Sequence, residues 1–311
     1  MKKTVYTGTY TGTGSKGIYR FSFEDGILCD PELLCEIENP KYINLQDGII
    51  TAAADVKGGS GIASVSREGE ILDTVSYERR TSCYIGRNGN RLYTANYHDG
   101  TVSLAELNED NTLKFIKTEI IRDGAGCHQV LFHGDKVLVP CLFLDRVVIF
   151  DADLNRIGSI HFNHGTGPRH GIFTRDGQYL YLVSELSNEL FVIKADTWEI
   201  LSSISVLPNG EKNRRDSAAI RLSEDESKVY VSTRTMDIIS VVSVKDHQPE
   251  LIQTVSCGGR HPRDFTLIGD YLLSANRFTN DVVSFRINED GTVGEKVSSV
   301  SIPEPVSLVF E

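Results

Sequence analysis

Charged side chains and one imidazole stand near the ends of short apolar segments in this 311-residue chain. Glu185 follows the apolar segment 180–184, where burial of an unpaired carboxylate would be costly. Arg169 and Arg234 stand at comparable points of other segments, and His128 can exchange a proton near neutral pH. Brought together, these groups could hydrolyse or isomerise a small anion. Arginine binds carboxylate or phosphate through paired hydrogen bonds, and its charge can stabilise an oxyanion.

Four further side chains stand at neighbouring positions of the same pattern and are candidates for substrate binding. They are Tyr97, His170, Arg263 and Arg277. Simpler roles stay open for several candidates. Glu185 could form only a salt bridge between repeats, His128 could be structural, and Arg277 could be an ordinary loop residue. The shared placement of the candidates at one end of the repeats is what favours a site.

A spaced repeat must position these residues. The segment 92–97 recurs without gaps at 137–142, 180–185, 229–234 and 272–277, with looser copies at 5–9 and 49–53. The position of Asn96 is filled by residues 9, 53, 96, 141, 184, 233 and 276, so the spacing is 43 to 49 residues. This period, with about four short strands per unit, is typical of a β-propeller. The chain is therefore predicted to be an all-β, seven-bladed propeller of four-stranded blades, forming a single domain over residues 1–311.

The two ends of the chain are predicted to meet in one blade. The apolar pattern of residues 305–310 predicts a strand after the last repeat. A propeller closes its ring when a strand from one terminus joins the blade begun by the other, which removes an exposed edge. We therefore expect the C-terminal strand to close the ring with the N-terminal blade.

Composition narrows the classes of partner. The formal net charge is −11 and the pI is about 5.3, which argues against nucleic acid or an anionic membrane as a partner. The start of the sequence lacks the apolar run of a signal peptide, and the six cysteines show no ligand spacing. We expect a cytoplasmic protein with reduced thiols and neither metal nor cofactor. The oligomeric state stays open.

The ordered motifs of the chain resemble the lactonase-type seven-bladed propellers, which include cycloisomerase-type 6-phosphogluconolactonases and carboxy-cis,cis-muconate cyclases. The motifs that carry the resemblance are residues 8–11, 17–19, 39–42, 95–97, 100–102, 127–128, 145–147, 165–170, 185–187, 230–234, 262–265, 276 and 281–282. The glycine-rich segment 165–170 together with Glu185-Leu186-Ser187 is the most specific part. The chain departs from the family pattern at 141–144 and lacks the paired histidines often found before residue 128.

The resemblance implies functional roles for His128, Arg169, Glu185 and Arg234, with Arg263 as a further anion contact. It implies hydrolysis of 6-phosphoglucono-δ-lactone to 6-phosphogluconate, in the pentose phosphate pathway, with a small anionic lactone as substrate. Two alternatives remain at this stage. One is a lactonase or lactonising cyclase acting on another sugar acid or carboxylate. The other is a propeller that binds ligands without catalysis.

Overall fold

The computed structural model describes residues 2–211 and 214–311. Within them the chain forms seven antiparallel sheets of four strands each. Helix is confined in these residues to two short 3₁₀ turns, at Leu142–Leu144 and Lys245–His247. No helix in the described ranges is both long and apolar enough to cross a bilayer. The prediction of a seven-bladed, four-stranded propeller is confirmed.

Each blade runs from an innermost strand at the channel to an outer strand at the rim, and we number the blades 1 to 7 from the one that contains residue 2. The innermost strands are β28 (Pro305–Phe310) in blade 1, then β4 (Glu38–Gln46), β8 (Tyr84–Asn88), β12 (Leu131–His133), β16 (Pro168–Phe173), β20 (Ser217–Leu222) and β24 (Pro262–Ile268). The second strands are β1 (Lys2–Thr9), β5 (Ile49–Val56), β9 (Arg91–Asn96), β13 (Lys136–Cys141), β17 (Tyr179–Ser184), β21 (Lys228–Thr233) and β25 (Tyr271–Asn276). The third strands are β2 (Gly17–Glu24), β6 (Gly59–Ser66), β10 (Thr101–Leu107), β14 (Arg146–Asp151), β18 (Glu189–Lys194), β22 (Ile238–Ser243) and β26 (Asp281–Ile287). The outer strands are β3 (Ile27–Glu36), β7 (Ile71–Glu78), β11 (Leu113–Ile120), β15 (Arg156–His161), β19 (Glu199–Ser205), β23 (Glu250–Ser256) and β27 (Val293–Ser301).

The hydrophobic core is divided among the seven junctions between blades. Each buried cluster draws its side chains from two neighbouring blades, as when Tyr181 and Val183 of blade 5 pack with Val229 and Val231 of blade 6. Second strands are sandwiched on both faces, so residues 180–184 are buried without interruption. Outer strands face solvent on one side, and β19 alternates between exposed and half-buried residues. A blade therefore depends on its neighbours for burial.

Strand β28 completes blade 1 by pairing antiparallel with β1, so that Val5 lies opposite Phe310 and Thr7 opposite Leu308. Leu308 is 4% exposed and packs in the cluster between blades 1 and 7. Its backbone N–H also donates to Oδ2 of the buried Asp264 at 3.0 Å. The closing strand thus pairs within blade 1 and also packs against and hydrogen-bonds to blade 7.

Innermost strands begin, and second strands end, at the same end of the propeller. Five of the innermost strands have an irregular register near this end, and in three of them the irregular stretch includes a basic residue: Lys41 in β4, Arg169 in β16 and Arg263 in β24. A bulge adds an unpaired residue to one strand and re-aims its side chain. Each of these three basic residues follows a proline, which cannot donate a ladder hydrogen bond and is tolerated near the start of a strand.

Candidate active site

A cavity of about 210 Å³ lies at this end of the channel. A cavity of this size suits a small ligand. Its walls come from six of the seven blades and from the loop that follows β1. The lining residues are Tyr10, Lys41, Thr81, Cys83, Tyr97, His98, His128, Glu185, Arg234 and Arg263.

Glu185 is held by two arginines that both bind the same carboxylate oxygen. Arg169 Nε donates to Glu185 Oε2 at 2.7 Å, and Arg234 Nη2 lies 3.0 Å from that oxygen. Arg234 Nη2 also lies 2.7 Å from Asp216 Oδ1. Arg169 belongs to the same blade as Glu185 and Arg234 to the next, so one of the two ion pairs joins neighbouring blades. Glu185 Oε1 has no protein partner among the described residues and belongs to a cavity-lining side chain.

Burial and charge act against each other on this cluster. Burial opposes ionisation of Glu185, but the charges of Arg234, Arg169 and Arg263 outweigh it and hold the pKa of the carboxyl below its usual value. Burial together with the Arg234 charge lowers the pKa of Arg169 to about 10. Both groups therefore stay charged at neutral pH, in a pair whose side chains are only 1% and 12% exposed.

His128 and His170 form a second buried pair. His128 Nδ1 lies 3.0 Å from His170 Nε2, and the two side chains are each 4% exposed. Burial, followed by the charge of Arg169, holds the pKa of each imidazole well below its usual value, so both are neutral at pH 7. Because His170 occupies Nδ1 of His128, its Nε2 is left without a protein partner in the described residues. That residue lines the cavity, so the neutral ring can offer a basic nitrogen to a ligand.

The eight candidates from the sequence fall into three layers. Tyr97, His128, Glu185, Arg234 and Arg263 line the cavity. Arg169 and His170 lie directly behind, bonded to Glu185 and His128 respectively. Arg277 does not line the cavity; its Nη2 lies 3.0 Å from Glu304 Oε1, and its guanidinium covers the ring of Tyr10 at 4.2 Å.

Sequence reasoning missed several residues of the site. They are Tyr10, Lys41, Thr81, Cys83, His98 and Asp216. For Lys41 a signal was present, because a proline followed by a basic residue occurs at Pro40-Lys41, Pro168-Arg169 and Pro262-Arg263. The three dipeptides occupy the starts of three innermost strands, so the repeat itself marks Lys41 as equivalent to the two arginines.

Cys83 is the thiol that lines the cavity. Burial raises its pKa to about 11, so it is protonated at neutral pH and is a poor nucleophile. All six cysteines are free thiols, and five of them are buried. In residues 2–211 and 214–311, no three histidine, cysteine or carboxylate side chains cluster closely enough to hold a metal ion. The cavity is lined by an imidazole, a carboxylate and several cations, which are groups able to take part in acid–base and electrostatic catalysis.

Fold and cavity together define a seven-bladed β-propeller with a small cavity, lined mostly by polar and charged side chains, at one end of its channel. The chain belongs to the Lactonase, 7-bladed beta-propeller family, whose model matches residues 4–310. It is 30% identical to the 6-phosphogluconolactonase of Bacillus subtilis (strain 168) over 339 aligned positions, which cover 98% of this chain and 97% of the relative.

Two solved structures share the whole fold. A protein from Lactobacillus plantarum is 27% identical, with a TM-score of 0.92 and full coverage of both chains. A protein from Bacteroides uniformis, provisionally named a 6-phosphogluconolactonase, is 26% identical, with a TM-score of 0.88. The alignment covers all of this chain and 99% of that one. Family membership therefore extends over the full length of the propeller.

Proposed function

We propose that this protein hydrolyses 6-phosphoglucono-δ-lactone to 6-phosphogluconate. The observation that carries the proposal is the meeting, in one small cavity, of a neutral imidazole, an ionised carboxylate and a surplus of cations. The name of the Bacillus subtilis relative, at 30% identity over the full chain, supports the same substrate. Such an activity would belong to the pentose phosphate pathway and to the cytoplasm.

In this proposal His128 is the general base. In the tautomer that donates from Nδ1 to His170, the Nε2 lone pair accepts a proton from water as the water oxygen adds to the lactone carbonyl carbon. The bond between that carbon and the ring oxygen then breaks. His128 returns the proton to the ring oxygen, which becomes a hydroxyl group, and the new carboxylic acid ionises in solution. A positioned base of this kind contributes about 10²- to 10⁴-fold to the rate.

Glu185 and Arg234 hold the other reacting groups. The free Oε1 of Glu185 accepts a hydrogen bond from the attacking water and orients it. Arg234 Nε donates to the backbone carbonyl of Asp216, and Nη2 contacts the carboxylates of Asp216 and Glu185. Nη1 is left to donate to the lactone carbonyl oxygen as that oxygen gains negative charge. Fixing this guanidinium with two carboxylates reduces the reorganisation needed during the reaction.

A coupled assay tests the proposal directly. The lactone is generated in place from glucose 6-phosphate, and the product is followed with a 6-phosphogluconate dehydrogenase, with and without chelator. Because these lactones also open without a catalyst, the rate is compared with a blank that lacks the protein. We expect a rate well above that background and unchanged by chelator. If the rate equals the background but an unphosphorylated lactone or a muconate is turned over, the proposed substrate is wrong. If the protein binds lactones and turns none of them over, the proposed activity is wrong.

A further inference from the structure

The cations around the cavity divide into two kinds. Arg169 and Arg234 are each paired with a carboxylate at 3.0 Å or less. Lys41 and Arg263 line the same cavity, yet neither has a carboxylate partner within 4 Å among the described residues. Within the described part of the chain, Lys41 Nζ donates one hydrogen bond, to the carbonyl oxygen of Thr81 at 3.5 Å.

The two unpaired cations converge on one aromatic ring. Lys41 Nζ lies 5.8 Å from the centre of the Tyr10 ring, and the Arg263 guanidinium carbon lies 5.3 Å from it. Lys41 comes from blade 2 and Arg263 from blade 7, while Tyr10 follows β1 of blade 1 between them. The negative face of an aromatic ring attracts a nearby cation, which helps to hold both side chains half-buried without a counter-ion.

Two half-buried positive charges without a partner form a ready site for an anion, and in a chain of net charge −11 this local surplus stands out. A phosphate monoester carries about −1.5 to −2 charges at pH 7 and has three acceptor oxygens. It would neutralise both cations, whereas a single carboxylate would leave one uncompensated. The Arg263 fork can bind two phosphate oxygens while Lys41 supplies a point charge.

We propose that Lys41 and Arg263, on either side of Tyr10, form a phosphate-binding subsite distinct from the Arg169–Glu185–Arg234 cluster, and that Lys41 sets the preference for phosphorylated over unphosphorylated lactones. The inference rests on the proposed function, since it assigns the phosphate end of that substrate. Arg169 and Arg234 then hold the Glu185 carboxylate, and Arg234 also contacts the lactone carbonyl. The subsite and His128 line the same cavity, so one small sugar phosphate can reach both.

The test replaces Lys41 with methionine, which keeps the aliphatic stem and removes the charge. For the phosphorylated lactone, Lys41→Met should raise KM about 10- to 100-fold, the range for a lost charged hydrogen bond, with kcat changed only a few-fold. For glucono-δ-lactone its kcat/KM should fall much less, so that the ratio of kcat/KM for the phosphorylated lactone to kcat/KM for the unphosphorylated one decreases at least about 10-fold. Lys41→Arg should retain most of the phosphate preference, and Lys57→Met, at an exposed lysine, should match the parent protein.

Calorimetry separates this inference from the proposed function, because it needs no turnover. The parent protein should bind 6-phosphogluconate more tightly than gluconate, and inorganic phosphate should compete. Lys41→Met and Arg263→Met should lose that difference while melting at nearly the parent temperature. An unaltered KM and affinity in Lys41→Met, with activity intact in the parent, would overturn the subsite alone. A parent protein that neither binds nor hydrolyses phosphorylated ligands would overturn both proposals.

Discussion

Nε of Arg169 donates to Oε2 of Glu185 over 2.7 Å, in a pair almost completely removed from solvent. The arginine side chain is 1% exposed and lies behind the carboxylate, so it does not line the cavity. Its role is to hold Glu185 ionised and fixed in direction. Breaking such a buried pair from one side leaves an uncompensated charge, which is more damaging than losing a surface ion pair.

Glu185→Gln should lower kcat by about 10²-fold or more, because a neutral amide orients the attacking water less well than the carboxylate and no longer balances the charges of Arg169 and Arg234. Glutamine fills the same space, so the fold should persist, although the charge left on Arg169 should lower the melting temperature. Steady-state kinetics and a melting curve check both points. Glu199→Gln, at an exposed position of β19, is the matched control and should behave like the parent. Parental activity in Glu185→Gln would remove Glu185 from the site.

Arg169→Ala should also remove most of the catalysed rate, and it carries a further signature. Loss of this cation raises the pKa of Glu185 and of His128, both of which its charge lowers in the parent. Because the reaction needs both groups unprotonated, activity should begin to fall at a higher pH than in the parent. The measurement is kcat/KM between pH 4.5 and 8. An unmoved acid limb with a normal rate would show that Arg169 does not act through these groups.

His170 should act on catalysis through His128. His170→Leu removes the partner of His128 Nδ1 and should lower kcat at least about 10-fold with little change in KM. His170→Gln places an amide near the former Nε2 and should recover part of the loss. Equal rates in the two variants would contradict the positioning role.

Stability should fall as the pH drops below about 6.5. His128 and His170 are neutral in the folded protein, with pKa values well below those of the unfolded chain. The unfolded state therefore binds more protons in this window, and the free energy of unfolding decreases with falling pH. Each histidine contributes about 1.4 kcal/mol per pH unit. Urea unfolding between pH 7 and 5 should show a shallower slope in His170→Gln than in the parent, whereas His161→Gln, at an exposed site, should keep the parental slope.

Ring closure should account for a large share of stability. Leu308→Ala should cost about 2 to 5 kcal/mol, because its side chain is buried between blades 1 and 7. Phe310→Ala, at a residue 37% exposed, should cost much less. Ending the chain before Val306 should lower the melting temperature sharply. An unchanged melting curve after that truncation would mean that β28 contributes little to the stability of the ring.

The repeat made the fold and part of the site predictable. Its register placed Glu185, Arg234 and Tyr97 just beyond the ends of second strands, where the structure also has them. The bulge at Arg169 could not be predicted from the repeat. Its one extra residue changes which side chains face the cavity. The approach of both Lys41 and Arg263 to Tyr10 depends on how blades 2 and 7 meet blade 1, and the pairing of Arg277 with Glu304 depends on ring closure. Neither relation is encoded in any local pattern.

The closing strand has a consequence for synthesis on the ribosome. The hydroxyl of Tyr6 donates to Glu311, so partners in blade 1 are 305 residues apart in the chain. At translation speeds of about 5 to 20 residues per second, β1 waits roughly 15 to 60 s for β28 to be made. Blades 2 to 7 can form during that interval, while the inner edge of β1 stays unpaired and open to strands of other nascent chains. Crowding of ribosomes on one messenger should therefore favour exchange of closing strands between neighbouring copies.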